Sequence, residues 1–363
     1  MEDEQKIAGE KEGKSGITRE TIFRLIAPLV AIVVALLGGA IVIAFSGVNP
    51  LFAYGELLKG AFGTSYCISE VFVRSMPLAF SGLAFAIAVR GGLFNIGAEG
   101  QLYVGALGAT LVALFLPGLP SFLLVPLSII AAFLFGAVWG AVPAILKAKW
   151  NVNEFVNTVM MNYIGLYMVN FFVSGPLREP RVSGRPQTIT FVETSWVPKI
   201  FSGTRLSYGF VVLIVTAILL YILLWHTSLG YQIRVIGQNR KAASYSGMKG
   251  TRLMITTLML AGAIAGMGGG LEATGLQHRL IANFSPGYGY TGITVSLLGR
   301  NHPLGVIVAA IFFGIIRTGC RSMESVAHVS YYVNVIIEGL ILIAILSSDY
   351  LGRMISRKKE KGN

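Results

Sequence analysis

Long apolar runs, each closed by a short polar interval, alternate along nearly the whole chain. A bilayer-spanning helix needs about 20 apolar residues. Phe23–Phe45, Ile68–Val89, Phe94–Leu116, Ser121–Leu146, Glu154–Ser174, Tyr208–Trp225 and Leu253–Leu271 meet or approach that length. Leu304–Gly319 and Tyr332–Leu346 are shorter candidates. Thr291–Leu298 is too short to span alone and reads as a half-helix joined to the residues before it. The pattern predicts an all-α, polytopic membrane protein of about ten transmembrane helices, some broken or re-entrant, with both termini cytosolic. Residues 1–20 are polar and read as a disordered cytosolic tail, 21–350 as a single transmembrane domain, and 351–363 as a basic cytosolic tail. Gly47–Thr64 reads as an outside segment with a surface helix, and Gly175–Ser207, rich in Pro, Gly and Arg, as the longest extracytoplasmic loop.

The interval Thr227–Arg252 stands apart. It carries Arg234, Arg240, Lys241, Lys249 and Arg252, and no acid occurs between Glu193 and Glu272. Short loops rich in Lys and Arg stay on the cytosolic side. Tyr231–Ile236 is predicted as a short helix stopped by Gly237, and Asn239 as the cap of a second helix that Gly247 ends. Ala242 and Ala243 would leave a low, smooth face for another protein. The plainer reading is an ordinary positive-inside loop.

Composition fits the pattern. Hydrophobic residues make up 54% of the chain and charged residues only 13%, where a soluble domain averages about 25% charged. The 44 glycines among the apolar runs suit closely packed helices. A net charge of +12 is explained by topology and anionic membrane lipid rather than by nucleic acid. Cys67 and Cys320 have neither metal-ligand spacing nor the context of a disulfide framework. No cleavable signal peptide is expected, because the first apolar run is too long. Ala8–Ser15 (AGEKEGKS) imitates a phosphate loop, but no buried strand precedes it and no helix follows. Arg178, Arg181 and Arg185 in the outside loop run against the positive-inside rule and mark either a docking surface or a tolerated exception.

Polar groups inside apolar runs are the candidate chemistry, since an ionisable side chain costs several kcal/mol in a bilayer unless partnered. Asn95, Glu99 and Gln101 lie between glycines at the start of the third run. Glu154, Asn157, Thr158 and Met161 fall on one helix stripe, flanked by Asn153 and Asn162. Glu338 lies in the last run, with Asn334 one turn earlier. Tyr288 and Tyr290 flank the half-helix. Each group either lines a pathway or fixes helix packing. Glu70 and Arg74, one turn apart, are placed to pair. No HExxH, no GxSxG and no carboxylate pair beside a histidine occurs.

Five segments together bear a family resemblance: GLFNIGAEGQLYVGALGA (Gly92–Ala109), VNEFVNTVMMNYIG (Val152–Gly165), GYQIRVIGQNRKAASYSGM (Gly230–Met248), LAGAIAGMGGGLE (Leu260–Glu272) and GYGYTGITVSLLGRNHPLG (Gly287–Gly305). The sequence resembles the integral-membrane permease subunits of bacterial ABC importers, in the branch shared by branched-chain amino acid, ribose and nucleoside systems. With GPLREP at Gly175–Pro180 it is most similar to the nucleoside-type permeases that work with a lipoprotein receptor. The resemblance implies a transport subunit in the bacterial cytoplasmic membrane with no ATPase site of its own. ATP and magnesium would be bound by two cytosolic ATPase subunits, a second related permease would complete the pathway, and a substrate-binding lipoprotein would deliver a nucleoside. It implies that residues 228–250 form the coupling element, through Arg234, Gly237, Asn239, Ala242, Ala243 and Gly247. Asn95, Glu99, Gln101, Asn153, Glu154, Asn157, Asn162, Tyr288 and Glu338 are the candidates for pathway lining or helix pinning. The alternatives are a simple-sugar or branched-chain amino acid ABC permease, an ion-coupled secondary transporter using Glu338, or a membrane scaffold.

Overall fold

The computed structural model describes residues 30–180, 184–330 and 332–360, with the backbone alone at 334 and 348–360. The N-terminal tail with its phosphate-loop imitation, the beginning of the first span, Arg181 and Lys361 lie outside the described residues. So do the side chains of Asn334 and of the basic residues from Arg353 to Lys359.

Thirteen helices are described. They are α1 (Val30–Phe45), α2 (Pro50–Phe62), α3 (Ser65–Arg90), α4 (Ala98–Phe115), α5 (Ser121–Trp150), α6 (Glu154–Ser174), α7 (Gly209–His226), α8 (Ser228–Gln238), α9 (Arg240–Tyr245), α10 (Gly250–Glu272), α11 (Tyr288–Leu298), α12 (Pro303–Ala327) and α13 (Tyr332–Glu360). Seven are long and apolar enough to cross a membrane, or eight if α1 and α2, bent by 116°, form one broken span. The expectation of about ten spans is thus reached only in part. The eleven residues of α11 rise about 16 Å, roughly half of a 30 Å hydrocarbon core. The apolar stretch of α13, Val335–Ser347, is also short.

The chain divides into two compact units. In the first, made of residues up to Glu56 and from Cys320 onward, α1 lies against α13. A Cβ on Gly38 would stand 2.7 Å from Leu340 Cδ1, so the pair packs backbone to side chain. Ile337, Ile341 and Ile345 repeat every fourth residue and are buried. The Tyr54 hydroxyl donates to Leu36 O at 2.5 Å.

The second unit, Leu57–Gly319, holds the central helices. In α3, α4 and α10, 89%, 78% and 72% of the apolar window is buried, against 28% in α5 and α7, which places the first three inside and the other two at the lipid-facing rim. α10 packs on α3, α4 and α5. Association of helices in lipid depends on close packing rather than on hydrophobic expulsion, so small residues gather at the contacts. Gly262 and Gly266 of α10 face Gly136 and Gly140 of α5, where a Cβ on Gly266 would stand 2.9 Å from Gly136 Cα. α10 then widens into one π turn, Ala273–Gln277, that ends at His278 in the left-handed region.

The Gly175–Ser207 loop is pinned to the chain after α10. Thr188 N donates to Leu280 O (2.9 Å), Phe191 N to His278 O (2.8 Å) and Ala282 N to Pro186 O (2.9 Å). Trp196 stacks on His278 with centroids 4.0 Å apart. Arg185 donates to Asn283 O at 2.7 Å. This bond ties the loop to the residues that follow the π turn.

Candidate functional site

Between α3 and α4 the chain is not helical. Gly91 and Gly92 turn it, and Leu93–Gly97 runs irregularly before α4 begins. Irregular backbone in a bilayer persists only where protein groups satisfy its amides and carbonyls. Asn95 Oδ1 accepts from the Gly97 amide at 3.0 Å, and its Nδ2 donates to Gln101 Oε1 at 3.1 Å. Asn162 reaches in from α6. Its Oδ1 accepts from Gly100 N (2.8 Å), and its Nδ2 donates to Ile96 O (2.9 Å) and Tyr290 Oη (3.2 Å). Asn95, Gln101 and Asn162 are at most 2% exposed. Asn95 and Gln101 brace the irregular segment, and Asn162 joins it to α6 and to Tyr290.

Glu99 joins the same hub. Its Oε2 accepts from the Gly289 amide at 2.6 Å, and Ser285 and Gly287 also bond it. The carboxylate therefore sits at the N-terminus of α11, where unpaired amides and the helix dipole favour an anion. Arg317 of α12, almost fully buried, donates to Thr291 Oγ1 at 2.8 Å and lies 5.4 Å from the centroid of Tyr288. Glu99, Asn95, Gln101, Asn162 and Tyr288 are thus brought together, and they tie the starts of α4 and α11 to α6 and α12. Tyr290, bonded to Asn162 at the hub, is 42% exposed, and Tyr163 and Tyr167 of α6 are 49% and 66% exposed.

The remaining expected residues are placed elsewhere. Asn153 caps α6 by accepting from Phe155 N at 2.9 Å. Glu154 forms an ion pair with Lys147 of α5 at 2.8 Å, the helix that Asn157 also reaches. Asn157 donates to Pro143 O at 3.3 Å and joins α6 to α5. Glu338 belongs to the first unit, buried near Cys320. Glu70 and Arg74 do pair, at 3.5 Å. Among the described residues, no group of three or more His, Cys, Asp or Glu is arranged to hold a metal ion.

The basic loop forms two helices. Thr227 caps α8 by accepting from Gly230 N, and Asn239 caps α9 by accepting from Lys241 N and Ala242 N. Gly247, at φ +74°, ends α9. The bonds Met248 N to Ala243 O and Gly247 N to Ser244 O complete a Schellman cap. Two expectations are corrected. Gly237 does not stop a helix, because α8 continues to Gln238. Instead its bare Cα meets the α3 end and the turn after it: an added Cβ would collide with Arg90 O and stand 2.8 Å from Gly92 N. Ala243 offers no outer face. It is 1% exposed and packs with Ile236, Leu253, Leu229, Val235 and Met248, so its side of α9 is turned to the core. Ala242, Arg240, Lys241 and Tyr245 face outward, the last 92% exposed. Beside them, a groove of 550 Å³ is lined by Tyr231, Gln232, Met248, Lys249 and Arg252 among others. Arg234 lies inward, 5.8 Å from the Trp225 ring.

Sequence reasoning passed over Arg317, although a cation in the ninth apolar run was a visible signal. It also passed over Glu272 at the end of α10, which is 1% exposed and accepts from Gln277 Nε2 at 3.2 Å. Arg74, Arg205 and Glu70 are its charged neighbours. Nothing in spacing links residues 70, 205 and 272.

The guanosine ABC transporter permease NupP of Bacillus subtilis (strain 168) is 34% identical to this chain over 340 residues, covering 93% of this chain and 97% of that protein. The nucleoside ABC transporter permease NupB of Lactococcus lactis subsp. cremoris (strain MG1363) is 32% identical over 310 residues, 83% and 85% of the two chains. The glucose ABC transporter permease TsgB13 of Haloferax volcanii is 32% identical over 336 residues, 90% and 88% of the two. The family described as the permease component of the branched-chain amino acid transport system matches residues 67–346. With its apolar helices and its glycine-packed centre, the chain belongs to that family and is a multi-pass cell-membrane ABC transporter permease.

Proposed function

We propose that this chain is one of the two membrane subunits of an ATP-driven importer that takes up nucleosides. In this reading an extracytoplasmic lipoprotein delivers the substrate, a related second permease completes the pathway, and both termini and the α8–α9 loop are cytosolic. Cytosolic ATPase subunits bind ATP and magnesium and dock on α9. The observation that carries the substrate class is the likeness to guanosine and nucleoside permeases over most of their length. The likeness to a glucose permease supports a second reading, a sugar as cargo. The exposed rings of Tyr163, Tyr167 and Tyr290 favour a planar base, since aromatic rings stack on such faces.

The geometry also supports a route for coupling. Gly237 of α8 rests on the turn that follows α3, and that turn leads directly into the Asn95 segment and the hub. A push on α9 would reach the hub through backbone contact rather than through side chains that can yield.

Two measurements test this. Uptake of labelled guanosine, ribose and glucose into cells carrying the full complex should show guanosine alone, with saturation lost in Tyr290→Ala. Glucose uptake of equal rate would move the assignment to the second reading. For coupling, Tyr245→Ala should lower substrate-stimulated ATP hydrolysis with the complex assembled. Unchanged stimulation in that variant would remove α9 from the docking surface.

A further inference from the structure

We propose that the unit Leu57–Gly319 holds an anionic phospholipid of the leaflet on the α8–α9 side. Its phosphate lies on Arg90 and Arg234 beside Trp225, and an acyl chain lies in the groove between α3, α5, α7 and α10. Two independent observations meet there.

The first is the groove. It measures about 430 Å³ and its lining is apolar, with Ile87, Phe133, Val215, Leu219, Leu223 and Leu260 among its walls. On α7 it runs from Val211 to Leu223, a rise of about 18 Å. One leaflet of hydrocarbon is about 15 Å deep.

The second is a cluster of cations without an acid. Arg90 and Arg234 place their guanidinium carbons 5.3 and 5.8 Å from the Trp225 ring centroid. Arg90 donates to Asn301 O at 3.0 Å and Arg300 O at 3.3 Å, but the carbonyls neutralise nothing. Arg234 Nε is buried with no hydrogen-bond partner. His302 lies 4.9 Å from Trp225 and Tyr221 stacks on it at 5.3 Å. No Asp or Glu occurs from Val71 to Ala98, from Thr194 to Leu271 or from Ala273 to Ser322, which excludes carboxylates from every segment that builds the cluster. A guanidinium pair binds phosphate oxygens with charge-assisted, directional bonds.

The cluster and the groove are continuous. Ile87, in the wall of the groove, precedes Arg90 by three residues, one helical turn on the same side of α3. Tryptophan favours the headgroup level. An acidic soluble partner would satisfy the arginines but leave a groove inside the bilayer unfilled. A neighbouring helix would fill the groove but not the arginines. A lipid does both.

The test uses the purified full chain in phosphatidylcholine vesicles containing a small fraction of chain-brominated phosphatidylglycerol or chain-brominated phosphatidylcholine. Quenching of Trp225 is isolated by subtracting Trp225→Phe. The expected result is a preference for the glycerol lipid of about fivefold per arginine engaged. That preference should fall in Arg234→Gln, persist in Arg234→Lys, and fall in Val215→Phe, which narrows the groove. The persistence in Arg234→Lys separates lost charge from lost fold. Equal quenching by the two lipids overturns the proposal. So does a disulfide between two chains carrying Val215→Cys, which would show a second copy in the groove.

Discussion

Asn162→Ala is the most informative substitution at the hub. It deletes the acceptor for Gly100 N and the donor to Ile96 O and Tyr290 Oη. Tyr290 is 42% exposed and can find another partner, so its share is small. The two backbone groups lie at the irregular entry to α4, beside side chains that are almost fully buried. A buried polar group left without a partner costs about 1–3 kcal/mol. Side-chain bonds between helices in a bilayer average only about 0.6 kcal/mol, because displaced groups find substitutes. Here substitutes are scarce: Asn95 and Gln101 are already bonded to each other and to Gly97. The expected loss is therefore about 2–4 kcal/mol, above the average for such bonds. Asn157→Ala is the control. It loses one longer bond to Pro143 O, a carbonyl within the run of α5, and should cost under about 1 kcal/mol. Asn162→Asp keeps the acceptor for Gly100 N and should recover part of the loss. The assay is reversible unfolding of the full chain in mixed micelles with increasing sodium dodecyl sulfate. Equal losses in Asn162→Ala and Asn157→Ala would refute the pinning role and return Asn162 to the pathway.

Other expectations follow from the same contacts. Gly237→Val places a side chain against Arg90 O and should abolish uptake while the chain still inserts, as read by transport and by membrane fractionation; normal uptake would mean that α8 does not bear on the turn. Glu154→Gln breaks a partly exposed pair with Lys147, so stability should fall by no more than about 1 kcal/mol and transport should stay near wild type. A large fall in substrate affinity there would put Glu154 in the pathway. His278 is held below the usual imidazole range, first by burial and then by Lys199, Arg205 and Arg279. Its neutral ring stacks on Trp196, and Nδ1–H donates to Thr274 O at 3.0 Å. Because the folded value lies below the unfolded one, His278 changes nothing at neutral pH. As pH falls through about 6.5 the unfolded segment takes up the proton first and stability is lost. Limited proteolysis of residues 175–207 should quicken as pH falls below about 6.5, and His278→Gln should flatten that dependence.

The sequence by itself determined that the chain is helical, membrane-embedded and a permease. Apolar length fixes which segments leave water, and this is a local property of each run. Glu154–Ser174 was bounded to the residue, because Asn153 caps one end and Gly175 closes the other. The caps at Asn239 and Gly247 were equally legible, since a cap depends on residues within one turn. Five of the expected polar residues, Asn95, Glu99, Gln101, Asn162 and Tyr288, do converge, because unpartnered polar groups cannot persist in hydrocarbon and so must meet. Which partner each one takes was decided by the tertiary structure. Glu99 accepts from an amide 190 positions away and Asn162 from one 62 positions away, and no period in the sequence encodes those separations. Ala243 and Gly237 were misread for the same reason. Their smallness was visible, but whether it serves an outer face, a helix end or contact with another backbone depends on what the fold brings against them: the end of α3, far away along the chain, meets Gly237, and α8 and the start of α10 fold over Ala243.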